Sequence, residues 1–154
     1  MKLEFRIPEN SDIEDILTWK YEGEYSFYDN NIQREKVDLI KGFINSGNDF
    51  SIYNEHNELV GSCSFFNIDE NFCVGVQMRP ELTGKGFGAE FVNSVVNFGK
   101  EKYDLRFIDL TVAAFNKRAI KVYEKLGFKV VEEYVNTIRG LDYDFIAMRL
   151  VFDN

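Results

Sequence analysis

Gly84, Gly86 and Gly88 recur at alternate positions inside Arg79-Pro80-Glu81-Leu82-Thr83-Gly84-Lys85-Gly86-Phe87-Gly88-Ala89. They join a run of β-formers, Phe72 to Met78, to a stretch of helical apolar spacing from Glu90 to Tyr103. Glycine lets the backbone take positive φ and lets a ligand approach the main chain closely. The first turn of the following helix carries free N–H groups and a partial positive charge. A glycine-rich turn at such a point is an anion site, and the usual anion is a phosphate; a plain tight turn is the alternative. Arg79, Lys85, Lys117, Arg118 and Lys121 are the cations available to assist.

A second chemistry-bearing stretch is Tyr21-Glu22-Gly23-Glu24-Tyr25-Ser26-Phe27-Tyr28-Asp29, aromatic and acidic at once and without a clean period. Carboxylates such as Glu22 and Glu24 suit an amine, and Tyr25 and Tyr28 give it a surface. The competing reading is a loop whose rings pack on the core. His56, the one histidine, falls in the polar turn Glu55-His56-Asn57-Glu58 and is read as a solvated group. Without it a Ser-His-Asp triad or a histidine-rich metal centre is hard to build, so no metal is expected.

The 154 residues fit a single domain, 1–154. Hydrophobic residues make up 45%, and 15 Phe with 8 Tyr supply a substantial core. No run approaches the ~20 apolar residues of a membrane helix. The charged, alternating Met1-Lys2-Leu3-Glu4-Phe5-Arg6 does not read as a signal peptide, and a cytoplasmic protein is expected. Cys63 and Cys73 then read as buried thiols rather than a disulfide. A net charge of −8 argues against nucleic-acid binding and suits a cationic substrate. Any anionic ligand must be held locally, by backbone N–H groups and a few cations.

The elements that position these residues follow from periodicity. Leu3, Phe5 and Ile7 alternate as a half-buried strand ended by Pro8. Helices are predicted over about Ser11–Lys20 and Asn31–Ser46. Asp49–Asn54 and Leu59–Ile68 read as a hairpin, and Phe72–Arg79 as a fourth strand. A helix from about Gly86 to Tyr103 leads to a fifth strand, Arg106–Val112. Asn116 is a helix N-cap, the helix runs to about Leu126, and Gly127 ends it in the left-handed conformation. Lys129–Ile138 and Tyr143–Phe152 close the chain as two strands around Arg139-Gly140-Leu141-Asp142. The fold class is α/β: about seven strands in a mixed sheet, parallel at the fourth and fifth, with about four helices on both faces.

A dinucleotide fold also uses a glycine loop, but after its first strand, and with an acidic residue at the end of the next strand to grip a ribose. Here the loop follows the fourth strand, and the strand ending near Val112 carries no acidic residue at its C-terminal end. The decisive partner is Asn116-x-x-Ala119-Ile120-x-x-Tyr123-x-x-Leu126-Gly127-Phe128, one helix and one strand further on. Together the two motifs resemble the GNAT superfamily of acyl-CoA-dependent N-acetyltransferases, over nearly the whole chain. The resemblance implies a centrally splayed GNAT-like sheet and transfer of an acetyl group from acetyl-CoA to a primary amine by direct attack in a ternary complex. It implies that backbone groups near Gln77 and Met78 hold the pantetheine and polarise the thioester. It assigns the pyrophosphate to Thr83, Gly84, Lys85, Gly86, Phe87, Gly88 and Ala89. Asn116 would bond the coenzyme near the thioester, and Tyr123 would be the general acid for the leaving thiolate.

Two positions depart from the family pattern. Thr83 stands where the family loop carries Arg or Gln, with Lys85 and Arg79 left to compensate in charge. Cys73 stands where many relatives carry a glutamate, about seven residues before the proline. The base is therefore open among Glu22, Glu24, Asp109 and a water chain. An acyl-CoA-binding or regulatory domain without turnover is the alternative function. The acceptor is a small-molecule or peptide amine, with Glu22, Tyr25 and Tyr28 as its wall. The aromatic sheet end near Phe145 and Phe152 is a candidate homodimer surface.

Overall fold

The computed structural model describes residues 2–153. Seven strands form one sheet in the order β1-β2-β3-β4-β5-β7-β6. They are β1 (Glu4–Arg6), β2 (Asp49–Tyr53), β3 (Leu59–Ile68), β4 (Asn71–Met78), β5 (Phe107–Ala113), β6 (Lys129–Ile138) and β7 (Leu141–Val151). β4 and β5 pair in parallel at Cys73↔Asp109, as the strand-helix-strand connection between them requires. The β1–β2, β2–β3, β5–β7 and β6–β7 ladders are antiparallel. Among the described residues the α-helices are α1 (Asn10–Leu17), α2 (Arg34–Lys41), α3 (Phe43–Ser46), α4 (Gly88–Tyr103) and α5 (Lys117–Lys125).

The chain groups into two compact units, Met1–Ser64 with Val76–Lys85, and Phe65–Gly75 with Gly86–Asn154. In the first, Ile13, Ile16, Trp19, Ile40, Phe43 and Leu59 form a buried cluster, with Tyr21 packed against it. Each such side chain contributes roughly 1.5–3 kcal/mol on burial. α1 starts where the Glu9 N–H donates to Asp12 Oδ2 at 2.9 Å, one half of a capping box. It stops at Thr18, whose hydroxyl donates to the Asp15 carbonyl at 2.6 Å, so the predicted extension to Lys20 is not helical.

The predicted helix Asn31–Ser46 is two helices. It begins only at Arg34 and breaks at Gly42, whose N–H folds back on the Asp38 and Leu39 carbonyls at 3.2 and 3.1 Å. The Tyr21–Asp29 stretch, read as loop, holds a 3-10 turn over Gly23–Tyr28. Its i+3 bonding has no apolar period for the eye to catch.

In the second unit α4 turns Phe91, Val92, Val95 and Val96 inward, and Ile108, Leu110 and Val112 on β5 are buried. Gly99 faces Phe65 so closely that a Cβ there would lie 2.5 Å from the ring. That ring belongs to an aromatic group with Phe72 (6.1 Å), Phe98 (6.2 Å) and Tyr103 (5.1 Å). The β6–β7 turn is tighter than predicted. Ile138 pairs with Leu141, and Arg139 and Gly140 both have positive φ (52° and 78°), the two-residue hairpin that matches strand twist.

Candidate active site

Each of the loop glycines has its own reason. β4 ends at Met78, and a 3-10 turn, Pro80–Leu82, follows. The Leu82 and Thr83 N–H groups return to the carbonyls of Arg79 and Pro80 at 2.9 and 3.1 Å. Gly84 and Gly86 then take φ of 71° and 88°, where a side chain costs about 1–2 kcal/mol. Gly88 has a steric role instead: a Cβ there would stand 3.2 Å from Val122 Cγ2, so its absence lets α4 seat against α5. The α4 N-cap, Phe87, offers no side-chain acceptor. Residues 83–86 form a hydrogen-bonded turn, and the donors that no helical carbonyl can take are those of the first turn of α4, Gly88 and Ala89 among them. A cluster of unmet donors at a helix start is an electropositive concavity.

The side chains around this backbone differ from expectation. Thr83 donates its hydroxyl to the Pro80 carbonyl at 2.7 Å, so it offers a ligand only its lone pairs. Arg79 is committed elsewhere. Its N–H donates to Val60 O at 2.8 Å and its Nε to Leu59 O at 2.7 Å, while its guanidinium pairs with Asp15. The group lies over the Trp19 ring, 5.2 Å from the centroid, and Trp19 Nε1 donates to the same Asp15 at 3.1 Å. Arg79 therefore braces α1 and β3, and it also pairs with Glu81 of the loop at 3.7 Å. Lys85 is exposed, and so are Lys117, Arg118 and Lys121.

The Asn116–Phe128 motif resolves into two caps around one tyrosine. Asn116 Oδ1 accepts the Ala119 N–H at 3.2 Å and starts α5, as expected. At the other end Phe128 N–H donates to Tyr123 O at 3.0 Å and Gly127 N–H to Glu124 O at 3.0 Å. With Gly127 at φ 102°, this is a Schellman cap. Its usual apolar contact is the Tyr123–Phe128 ring pair, 5.8 Å between centroids. The Gly-Phe of the motif thus fixes the main chain and ring of Tyr123, which is buried.

Asp109 is held. Arg149 donates to its two carboxylate oxygens at 2.7 and 2.9 Å, and its guanidinium carbon stacks 4.1 Å from the Phe107 centroid. Both oxygens of this buried carboxylate are engaged by the one guanidinium. Cys73, its register partner, is buried; desolvation first, and the Asp109 charge second, raise its thiol pKa, with Arg149 acting the other way. That thiol does not replace a base.

Glu22 and Glu24 are exposed, and Tyr25 and Tyr28 half-buried, on the 3-10 segment. This segment is closed by side chains that the sequence did not single out. Tyr21 N–H donates to Asp29 Oδ1 at 2.8 Å, and Lys36 Nζ donates to the Tyr28 carbonyl at 2.8 Å. Asn30, fully buried, faces Gln77 in a reciprocal amide pair: Asn30 Nδ2 to Gln77 Oε1 at 2.9 Å, and Gln77 Nε2 to Asn30 Oδ1 at 3.1 Å. Asn30 Nδ2 also reaches Ile16 O at 2.8 Å, and Tyr21 Oη donates to Met78 O at 2.7 Å. The Gln77 side chain therefore belongs to this segment, which leaves Gln77 only its main chain for a ligand. No local pattern announces an Asn–Gln pair so far apart in sequence.

The model of the acetyltransferase (GNAT) domain matches residues 2–129. The chain belongs to the GNAT acetyltransferase family. Among curated relatives, the uncharacterized N-acetyltransferase p20 of Bacillus licheniformis is 29% identical over 116 residues, covering 71% of this chain. The match covers 65% of that protein's length. A GNAT-family acetyltransferase from Bacillus anthracis superposes with a TM-score of 0.77 at 19% identity, covering 98% of this chain and 95% of that one. A spermidine N-acetyltransferase chimera from Vibrio cholerae and hSSAT gives 0.76 at 24% identity, covering 98% and 96%. The dodecameric spermidine N-acetyltransferase of Vibrio cholerae gives 0.71 at 21% identity, covering 97% and 93%. At these identities the structures speak for the GNAT fold. The family membership removes the dinucleotide-binding reading of the glycine loop. No helix among the described residues is long and apolar enough to cross a membrane.

Proposed function

We propose that this GNAT protein transfers an acetyl group from acetyl-CoA to a small cationic primary amine. The observation that carries the reading is the glycine turn that leads into α4 and leaves its first-turn N–H groups, at Gly88 and Ala89, without a side-chain cap. Such donors suit a pyrophosphate, and Lys85 adds one exposed charge. Both compact units are read as parts of one acetyltransferase domain, because the family model runs through the two of them.

The neutral amine nitrogen attacks the thioester carbonyl carbon, and the carbonyl oxygen takes negative charge near the Met78 N–H. The C–S bond then breaks, Tyr123 gives its proton to the leaving sulfur, and the amine loses a proton to solvent. A phenol of pKa near ~10 is reasonably matched to a thiolate. Glu22 and Glu24 are the proposed acceptor-binding carboxylates and the remaining candidates for relaying that proton, since Asp109 is occupied by Arg149. Tyr25 and Tyr28 form the wall beside them.

The experiment is an acetylation assay over an amine panel with mass-spectrometric readout, headed by a polyamine, the substrate class named for two of the structural neighbours. Acetyl-CoA binding with no turnover for any amine would favour the second reading, an acyl-CoA-binding domain. That reading draws on Thr83 and Arg79, both hydrogen-bonded within the protein. Two free, buried cysteines suit a cytoplasmic setting.

A homodimer remains part of the proposal, on a different surface. Phe145 is buried and stacks on Tyr134 at 5.7 Å, and Phe152 lies under Lys100 Nζ at 4.9 Å. The exposed apolar positions are instead Val130, Val131 and Val135 on the edge strand β6.

A further inference from the structure

Tyr21 meets β4 at the residue whose main chain is assigned to the thioester. Arg79 N–H donates across to Val60 O on β3 at 2.8 Å. Neighbouring residues of a strand alternate sides, so the N–H and C=O of Met78 face away from β3. On that side Tyr21 Oη donates to Met78 O at 2.7 Å. The ring is packed against the Ile13–Leu59 cluster, and its N–H is fastened to Asp29, so the hydroxyl is held from both ends. Burial raises the phenol pKa well above its ordinary value, with the Gln77 amide pulling the other way. It stays a hydroxyl with its proton on Met78 O; the Gln77 amide lies beside its oxygen but spends its two hydrogens on Tyr28 O at 3.3 Å and Asn30 Oδ1 at 3.1 Å, which leaves the phenol oxygen its acceptor capacity.

We infer that Tyr21 is a positioning residue for the incoming amine: its hydroxyl oxygen, held on the Met78 carbonyl, accepts an amine N–H and turns the nitrogen lone pair toward the thioester at the Met78 N–H. The inference rests on the acetyltransferase reading. As the N–C bond forms, the nitrogen gains positive charge and its N–H becomes a stronger donor. A phenol oxygen already donating to a carbonyl is also a better acceptor. The contact therefore strengthens toward the transition state and acts on kcat more than on binding. No covalent bond to Tyr21 forms, and its proton does not move.

The test is Tyr21→Phe, which keeps the ring and removes the oxygen. Purified wild type and variant are compared with acetyl-CoA and spermidine, and with the best amine of the panel. The expected result is a fall in kcat of about 10- to 30-fold, the loss of one charge-assisted hydrogen bond. Acetyl-CoA Kd by calorimetry should stay within about twofold, because the phenol oxygen is not among the coenzyme's proposed contacts. Amine kinetics within twofold of wild type overturn the inference and leave the acetyltransferase reading standing. A loss of acetyl-CoA affinity as large as the loss of turnover also overturns it, since Tyr21 would then be holding β4 in shape. A wild type that binds acetyl-CoA and acetylates nothing removes the reading itself, and the inference with it.

Discussion

The glycine loop and the Tyr21–Asn30 segment adjoin the same strand, and they are built in opposite ways. At the start of α4 the donors are first-turn main-chain N–H groups, Gly88 and Ala89 among them, with no helical carbonyl and no side-chain cap to take them. Around the 3-10 turn nearly every polar group is spent internally: Asn30 on Gln77 and Ile16, Asp29 on Tyr21, and Lys36 on the Tyr28 carbonyl. A surface of unmet backbone donors recognises a phosphate whatever side chains surround it, so it depends on shape and on glycine. A surface whose scaffold is a side-chain network keeps a few groups outward, here Glu22 and Glu24, and those choose the ligand. On the proposed function, the coenzyme end is therefore generic and the acceptor end particular.

The sharpest way to separate the two ends is a residue that belongs to the chemistry of both. Tyr123→Phe should lower kcat about 10²- to 10⁴-fold for every amine, with acetyl-CoA Kd little changed by calorimetry. Turnover that survives the change would remove Tyr123 as the acid. Gly99→Ala drives a methyl into the Phe65 ring and should cost about 1–3 kcal/mol of stability, read as a lower thermal midpoint. Gly86→Ala has open space beside it, so only the left-handed backbone is penalised. An acetyl-CoA Kd raised about tenfold is expected, with acceptor KM unmoved. The reverse pattern belongs to Glu22→Gln with Glu24→Gln: acceptor KM up about threefold at low salt, less at 1 M, and acetyl-CoA Kd constant. If the two carboxamides shift both constants alike, the division between generic and particular ends is wrong. Smallest of all, Lys85→Ala should weaken acetyl-CoA about two- to threefold, again fading with salt.

What could be read in advance follows the same division. The loop, the Asn116 cap, the Gly127 terminator and the parallel β4–β5 step all rest on local rules, so residue types at short spacing reveal them. Arg79 was read as a loop cation because charge is visible in sequence and direction is not. Its guanidinium turns back to Asp15 and Leu59 O, partners far along the chain. Asp109 is a candidate base in sequence for the same reason, and its partner Arg149 lies 40 residues away. The predicted helix over Asn31–Ser46 failed at Gly42, where an apolar period continued through a residue that let the chain turn. The Tyr21–Met78 and Asn30–Gln77 pairings carry no signal, because amide pairs and phenol–carbonyl bonds between distant segments leave no spacing behind.

Gly88 and Gly99 sit on α4 about three turns apart, nearly in line along the helix. One admits Val122 and the other the Phe65 ring. A rod notched at two points by different neighbours cannot slide lengthwise without climbing out of both notches together. The first notch is also the first residue of α4, where the donors of the loop begin. On the proposed function, the Phe65 contact at Gly99 therefore sets the height of the phosphate-binding helix start about 16 Å away, at about 1.5 Å per residue. Changes that loosen that far end should be felt first as a misplaced phosphate.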